Sequence, residues 1–325
     1  MDSFPLALAN LTSIPVLVFV AAVIAARLHT DIRLPDAVYQ GITIFLLVGI
    51  GIKGGHALKE TSGTDLLLPG LTALGLGIVI PFLAFGLLSL SKKVTRIEKG
   101  SLAAHYGSTS LVTFTAGLVM LESLKIYVEP YTAALLAIME IPGIIVGIYL
   151  GTRGPRKGKD AVPIAVTLKE VLLGRTVLLL VVGLAVGFIA PEPSYVKVEP
   201  FFVALQPGVL VLFLLQLGFI VGSKLGSVLT SGVWLPVFAI LMPLASGTLG
   251  ALVGSAAGMS VGGATMLAIL CASASYIAAP AAVGLAMPTA NLWLALTASL
   301  GITFPFNLIV DLPLYLAVAQ FAEQL

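Results

Sequence analysis

Long apolar stretches separated by short polar ones recur along the whole chain. A helix needs about 20 mostly apolar residues to cross a bilayer, so the pattern predicts about ten membrane-spanning segments. Their boundaries are roughly 4–26, 37–52, 66–90, 102–121, 130–151, 170–190, 201–222, 232–257, 262–286 and 291–320. The second segment is short and can extend through His56. The predicted fold class is an all-α integral membrane protein.

Composition supports this class. The chain is 58% hydrophobic and 10% charged, with a mean hydropathy of +1.10, whereas a soluble domain has about 25% charged residues. So few polar residues cannot cover a soluble globule. The net charge of +2 gives no reason to expect nucleic-acid binding. The N-terminus has an acid at position 2 and no basic stretch, which predicts a first span rather than a cleaved signal peptide.

Lysine and arginine are distributed unevenly between the loops. Of the 17 such residues, thirteen fall in one of the two alternating sets of loops, and the positive-inside rule places that set in the cytoplasm. The sequence therefore predicts a multi-pass protein of the plasma (inner) membrane with both termini outside.

The two halves of the chain resemble each other. The hydrophilic stretch 152–169 is predicted to be a cytoplasmic linker between a first repeat, 1–151, and a second, 170–325. Residues 51–70 ("GIKGGHALKETSGTDLLLPG") and 218–237 ("GFIVGSKLGSVLTSGVWLPV") share glycine, leucine and proline positions at a constant offset of 167. Five spans per repeat force the second half to insert inverted, and such repeats are typical of secondary transporters.

Polar residues interrupt the fourth and ninth segments near their centres, as "GSTS" (107–110) and "CASASYIAAP" (271–280). Gly107 permits a helix to end, and Pro280 lacks the N–H that a continuous helix uses. A broken helix is tolerated in a membrane only where it lines a protein cavity. We therefore expect two discontinuous helices whose half-helix N-termini meet near the midplane.

This arrangement suits a small anion, because free N–H groups and positive dipole ends would face one point. Hydroxyl donors would come from Ser108, Thr109, Ser110, Ser273 and Ser275. The alternative is that small and hydroxyl residues only allow close helix packing. Their matched positions in the two halves favour binding.

Two acidic residues lie within spans, and each closely precedes a proline: Glu140 before Pro142 and Asp311 before Pro313. A carboxylate beside freed backbone carbonyls predicts a site for a hard cation such as sodium. For Asp311, solvation or pairing near a helix end is the alternative. Further oxygen donors in the last segment are Asn291, Thr303 and Asn307.

Other polar residues have simpler explanations. Glu122 and Lys125 are three residues apart and are expected to pair at the outer end of the fourth segment. No paired aspartates, zinc-type His-Glu cluster or diphosphate motif is present, so neither an enzyme nor a cofactor is expected.

The stretches "GSTSLVTFTAGLVMLESLKI", "LLAIMEIPG" and "SASYIAAPAAVGLAMPTAN" resemble the sodium-dependent bicarbonate permease family, in order along nearly the whole chain. The resemblance implies a ten-helix 5+5 inverted repeat with elevator-type core and gate domains. It also implies a homotrimer, symport of sodium and bicarbonate, and a PII-like cytoplasmic regulator. The short central linker lacks the long acidic insert of the members considered, so that regulator has no further support in this chain.

By residue-to-residue correspondence, the resemblance implies that Gly107 to Ser110 and Ser273 to Tyr276, including Ala274, bind the anion. Glu140 and polar residues of the last segment (Asn291, Thr303, Asn307 and Asp311) would bind sodium. Tyr276 stands where these members carry an aspartate, which can change the coupling ion or its stoichiometry.

The predicted function is sodium-coupled uptake of bicarbonate. The alternative is a sodium- or proton-coupled transporter of another small anion, such as an organic carboxylate. A passive channel is disfavoured, because inverted repeats with two broken spans indicate alternating access.

Overall fold

A computed structural model describes residues 8, 10–59, 63–91, 93–152, 166, 168–169, 172–230 and 233–324. Within these ranges the regular structure is helical. The helices are α1 (Ile14–Arg27), α2 (Asp36–Leu58), α3 (Gly63–Ser89), α4 (Arg96–Gly107), α5 (Leu111–Ser123), α6 (Thr132–Thr152), α7 (Arg175–Ile189), α8 (Glu192–Glu199), α9 (Gln206–Thr230), α10 (Trp234–Ala256), α11 (Val261–Ala272), α12 (Ala278–Ala286) and α13 (Leu292–Ala322).

Three π-helical segments interrupt the α-helical geometry. One, Pro200–Ala204, lies between α8 and α9. The other two, Ser299–Thr303 and Asn307–Asp311, lie within α13 on either side of Pro305. A proline removes one backbone donor from the helix, and a local π-helical turn can re-pair the freed backbone groups. Most of the predicted linker lies outside the described residues.

Six helical stretches in the described ranges are long and apolar enough to cross a membrane. They correspond to predicted segments two, three, five, seven, eight and ten, and α2 extends past His56 to Leu58 as expected. The other four segments contain shorter helices: α1, α7, and the half-helices α4 with α5 and α11 with α12. The two halved segments fall short because each contains a polar interruption.

The helix contacts follow a pattern that recurs in the two halves. α3 contacts α4 and α6, and in the second half α10 contacts α11 and α13. Two other extensive contacts cross between the halves, with α1 against α9 and α2 against α7. The helices thus form one group of α1, α2, α7 and α9, and another that contains both halved segments.

Glycines allow the closest helix approaches. A Cβ on Gly143 of α6 would lie 1.7 Å from the carbonyl oxygen of Gly107, so α6 holds the end of α4. A Cβ on Gly51 of α2 would lie 2.7 Å from Cα of Gly183 on α7. Small residues at membrane helix crossings permit such backbone contact.

Candidate functional site

The first break separates α4 from α5. α4 ends at Gly107, the next three residues are not helical, and α5 begins at Leu111. Ser110 caps α5, because its Oγ accepts a hydrogen bond from the N–H of Thr113 at 3.3 Å. The N–H groups of Leu111 and Val112 have no hydrogen-bond partner within the described ranges. The start of α5 therefore carries free donors and the positive end of a helix dipole.

The second break separates α11 from α12. α11 ends at Ala272, five residues are not helical, and α12 begins at Ala278. Ser275 Oγ accepts hydrogen bonds from the N–H groups of Ala278 and Ala279 at 3.3 and 3.2 Å. Pro280, expected to break the helix, lies instead in the first turn of α12. A helix makes no use of a proline's missing N–H there, so the break precedes the proline.

The two breaks contact each other directly. The N–H of Ser110 donates to Ser273 Oγ at 2.9 Å, and Ser110 Oγ donates to Tyr276 Oη at 3.2 Å. The N–H of Ser275 donates to the carbonyl oxygen of His105 at 2.8 Å. The starts of α5 and α12 therefore lie at one crossing, which is built from residues more than 160 positions apart.

The crossing is buried and contains no lysine or arginine side chain. Seven of the eight residues predicted to bind the anion are buried, and Tyr276 is half-buried. Ser108 is 1% exposed, and its Oγ has no partner among the described residues. No lysine or arginine occurs in α5, α6, α11, α12 or α13. The charge of an anion at this crossing would be stabilised by N–H and hydroxyl groups, without a lysine or arginine.

Glu140 lies beside the first break. On the same face of α6, Leu136 is one turn before it and Gly143 one turn after. The carbonyl oxygen of Leu136 accepts a hydrogen bond from Thr109 Oγ1 at 3.3 Å, and Gly143 contacts Gly107. Glu140 is buried, and within the described part of the chain its carboxylate has no hydrogen-bond or ion-pair partner. A buried carboxylate of this kind needs a bound cation or a proton.

Thr303 and Asn307 connect α13 to the breaks. Thr303 Oγ1 donates to the carbonyl oxygen of Ala239 at 2.6 Å, the carbonyl that Pro243 of α10 leaves without its helical donor. Since that hydroxyl has one hydrogen, Tyr106 Oη donates to it, also at 2.6 Å. Asn307 Nδ2 donates to the carbonyl oxygen of Ala272, the last residue of α11, at 3.0 Å. Asn307 Oδ1 is buried and unpartnered among the described residues.

The remaining two predicted sodium ligands lie apart from each other. Asp311 is fully buried one turn beyond Asn307. Its Oδ2 is 2.9 Å from Tyr315 Oη, and its Oδ1 has no described partner. Asn291 is exposed at the start of α13, where its Oδ1 accepts from the N–H of Leu294 at 3.3 Å. The structure therefore places Asn307 and Asp311 on adjacent turns and Asn291 at a helix cap.

A pocket of about 200 Å³ lies at the end of the molecule that the charge distribution predicts to be outside. We call it the outer pocket; α5 lines it with Phe114, Leu118 and Glu122. These residues are four apart and pass from buried through half-buried to exposed. The outer pocket is therefore deepest at Phe114, one helical turn from Ser110.

The expected pairing of Glu122 with Lys125 is wrong. Glu122 forms an ion pair with Lys53 of α2 at the outer pocket. α5 ends at Ser123, and Lys125 has a positive φ of 56° in the following turn, so it does not continue the helix face. The ion pair links α5 to the other group of helices.

Sequence reasoning missed Tyr315 and Phe114 as neighbours of the site. Tyr315 is four residues after Asp311, and this helical spacing could have identified it as the carboxyl's partner. No local signal distinguishes Phe114 from the other apolar residues of its segment. Its position depends on the packing of α5 against α11, α9 and the Asn307–Asp311 segment of α13.

Comparison with known families gives an independent finding. A family model described as the Na+-dependent bicarbonate transporter superfamily matches residues 15–320, from the second residue of α1 into the last turns of α13. The matched region includes both breaks and every candidate ligand on α6 and α13.

Proposed function

Because the chain belongs to the Na+-dependent bicarbonate transporter superfamily, we propose that it is a symporter in which sodium drives uptake of bicarbonate. The family is one of membrane transporters, not of enzymes. The observation that carries the proposal is the buried crossing of two helix breaks with unpartnered donors and no lysine or arginine. Such a site suits one small monoanion.

The anion would lie between the starts of α5 and α12. The N–H groups of Leu111 and Val112 and the unpartnered Oγ of Ser108 would donate to its oxygens. Ser110 and Ser273 hold the two breaks together, and Gly107 lets α6 approach. The remaining predicted residues, Thr109, Ala274, Ser275 and Tyr276, would shape the walls. The bound charge would be stabilised by helix dipoles, which are effective at low dielectric.

Sodium would bind where buried oxygens lack donors. Glu140 beside the first break, and the Oδ1 atoms of Asn307 and Asp311, meet this description. Hard cations prefer oxygen ligands. Thr303 would position α13 through its bonds to Ala239 and Tyr106 rather than act as a free ligand. Sodium beside the crossing would raise the affinity of the anion by direct attraction, which couples the two ions.

We further propose the ten-helix inverted repeat, with the α1, α2, α7 and α9 group as the gate domain. The helices that carry the two breaks would form the moving core. The recurring helix contacts support this division. As an elevator, the core would carry both ions past the gate domain. A homotrimer in the plasma membrane, with both termini outside, completes the proposal.

The outer pocket would be the entry route, with Phe114 closing the last turn before the crossing. The test variant is Ser110→Cys, combined with either Phe114→Ala or Leu118→Ala. A charged thiol reagent added outside should modify the new cysteine faster with Phe114→Ala than with Leu118→Ala. The native Cys271 is buried, so its background reaction is expected to be small. Equal rates in both variants would place the entry route elsewhere.

The experiment that tests the function is radiolabelled bicarbonate uptake by purified protein in liposomes, with and without an inward sodium gradient. Uptake that requires the gradient supports symport. Uptake without it indicates proton coupling or passive flux, which a pH gradient separates. If no bicarbonate enters, small organic carboxylates in the same vesicles test the alternative substrate.

A further inference from the structure

His105 is buried in α4, three residues before Ser108. One of its two ring nitrogens has a hydrogen-bond partner. Its Nδ1 lies 2.8 Å from the carbonyl oxygen of Ser101. A carbonyl only accepts, so Nδ1 carries the hydrogen of this bond. No acidic group in the described ranges forms an ion pair with His105. A neutral ring is therefore favoured, and Nε2 is then a hydrogen-bond acceptor.

That acceptor has no donor. Nε2 of His105 is fully buried and has no hydrogen-bond partner in the part of the chain that the structure describes. Leaving a buried polar atom unpaired costs about 1–3 kcal/mol. Such an atom in a native structure calls for a ligand or a water that supplies the missing bond.

His105 belongs to the crossing. Its backbone carbonyl oxygen accepts the N–H of Ser275, so the second break rests directly on this residue. Ser108, the first residue after the end of α4, also has an unpartnered Oγ. One buried acceptor and one buried hydroxyl near the end of α4 thus lack hydrogen-bond partners among the described residues.

The other groups at the crossing are donors. N–H groups and hydroxyls suit the two unprotonated oxygens of bicarbonate, but they suit nitrate or chloride equally well. Bicarbonate differs from these anions because its third oxygen carries a hydrogen and needs an acceptor. A site built to pair a substrate hydroxyl rejects analogues that lack it, since its own polar group is then left unpaired.

We infer that His105 Nε2 accepts a hydrogen bond from the hydroxyl of bicarbonate and thereby makes the site selective for an anion that carries a proton. This inference rests on the proposed function. It assigns His105 a binding role in specificity, while Ser101 only fixes the ring through its carbonyl oxygen. No proton is transferred, and the bond forms and breaks with each transport cycle.

Nitrate is the matched probe, because it is a planar monoanion with three oxygens and no hydrogen. In liposomes with an inward sodium gradient, the half-saturating bicarbonate concentration and the inhibition constant of nitrate are measured together. For His105→Leu we expect the half-saturating bicarbonate concentration to rise about tenfold and the inhibition constant of nitrate to stay constant. His105→Gln, which retains an acceptor oxygen, should recover part of the difference. Ser101→Ala, which removes a neighbouring unpartnered hydroxyl and keeps the carbonyl, is the control.

The outcomes separate the two proposals. If wild-type protein takes up no bicarbonate, both the function and this inference fail. If wild-type protein does take up bicarbonate, the inference alone can still fail. It is overturned if the inhibition constant of nitrate divided by the half-saturating bicarbonate concentration is unchanged in His105→Leu and His105→Gln. An equal loss for both anions would show that His105 only supports the fold. Size-exclusion profiles and thermal midpoints show whether each variant is folded. If His105→Leu does not fold, the nitrate and bicarbonate constants of His105→Gln test the inference.

Discussion

The two helix breaks share their construction but differ in their neighbours. In each, a serine bonds N–H groups at the start of the following half-helix, Ser110 for α5 and Ser275 for α12. Beside the first break, α6 carries Glu140. At the corresponding place on α13, "TFP" replaces "EIP", so Thr303 stands where α6 has its acid.

This difference has a chemical meaning. Thr303 is fully engaged between Tyr106 and Ala239, whereas Glu140 has no partner among the described residues. The acid of α13 comes two turns later, at Asp311, where a tyrosine contacts it. The shared construction brings the starts of two half-helices together, and their positive dipole ends suit an anion. The unequal side chains on α6 and α13 suit a cation, which needs oxygens at particular places.

The largest effect is expected from filling either break. Ser108→Leu or Ser273→Leu places a bulky apolar side chain in the buried crossing and removes a hydroxyl. We expect both variants to abolish bicarbonate uptake while membrane expression is retained. Ser89→Leu, at an exposed helix end, is the control. If both breaks tolerate leucine with normal uptake, the anion does not bind at the crossing.

The next largest effect is expected at Gly143 of α6, which packs against the end of α4 at the first break. In Gly143→Ala the new Cβ would lie 1.7 Å from Gly107 O, so α6 must move away from α4. Such overpacking costs about 1–3 kcal/mol, and the thermal midpoint should fall together with uptake. Gly75→Ala has no heavy atom within 4 Å of its Cβ and should leave both unchanged. Equal stability of the two variants would contradict the close contact.

The difference between the acids of α6 and α13 as sodium ligands is tested by neutralising each of them in turn. Glu140→Gln keeps the shape and removes the charge, so the sodium concentration for half-maximal uptake should rise about tenfold. Asp311→Asn should have a smaller effect, because Tyr315 can still bond the amide. The exposed Glu323→Gln is the control. An unchanged sodium curve in Glu140→Gln would remove Glu140 from the cation site.

The smallest effect should come from Tyr276, whose hydroxyl lies at the crossing. Tyr276→Phe removes the acceptor of Ser110 Oγ and leaves the ring against Phe304. Losing one neutral hydrogen bond should raise the half-saturating bicarbonate concentration about threefold. Tyr127→Phe, on the surface, should not change it. Loss of sodium dependence in Tyr276→Phe would instead show that the hydroxyl acts in coupling.

Much of the fold could be predicted because a membrane makes hydropathy informative. Backbone groups must be paired inside a segment in hydrocarbon, so long apolar runs become helices and polar interruptions stand out. The positions of both breaks and the extension of α2 past His56 followed from this rule. The role of Pro280 did not, because a proline is as well placed in a first helical turn as after a break.

Side-chain pairing was less predictable. Glu122 and Lys125 have a spacing that suits a helix, yet α5 ends between them and Glu122 reaches Lys53 of α2 instead. A helix end shifts by a residue or two for reasons of packing, and such a shift changes which side chains can meet.

The sequence by itself determined the all-helical membrane fold, the two polar interruptions and the acids within the spans, since each depends on the local balance of apolar and polar residues. Only the tertiary structure decided that Ser110 bonds Ser273, that His105 supports Ser275 and that Thr303 satisfies the carbonyl freed by Pro243. These pairs join residues far apart in the chain. They depend on where helices cross, and helix crossings are set by the packing of whole faces rather than by any short stretch of sequence.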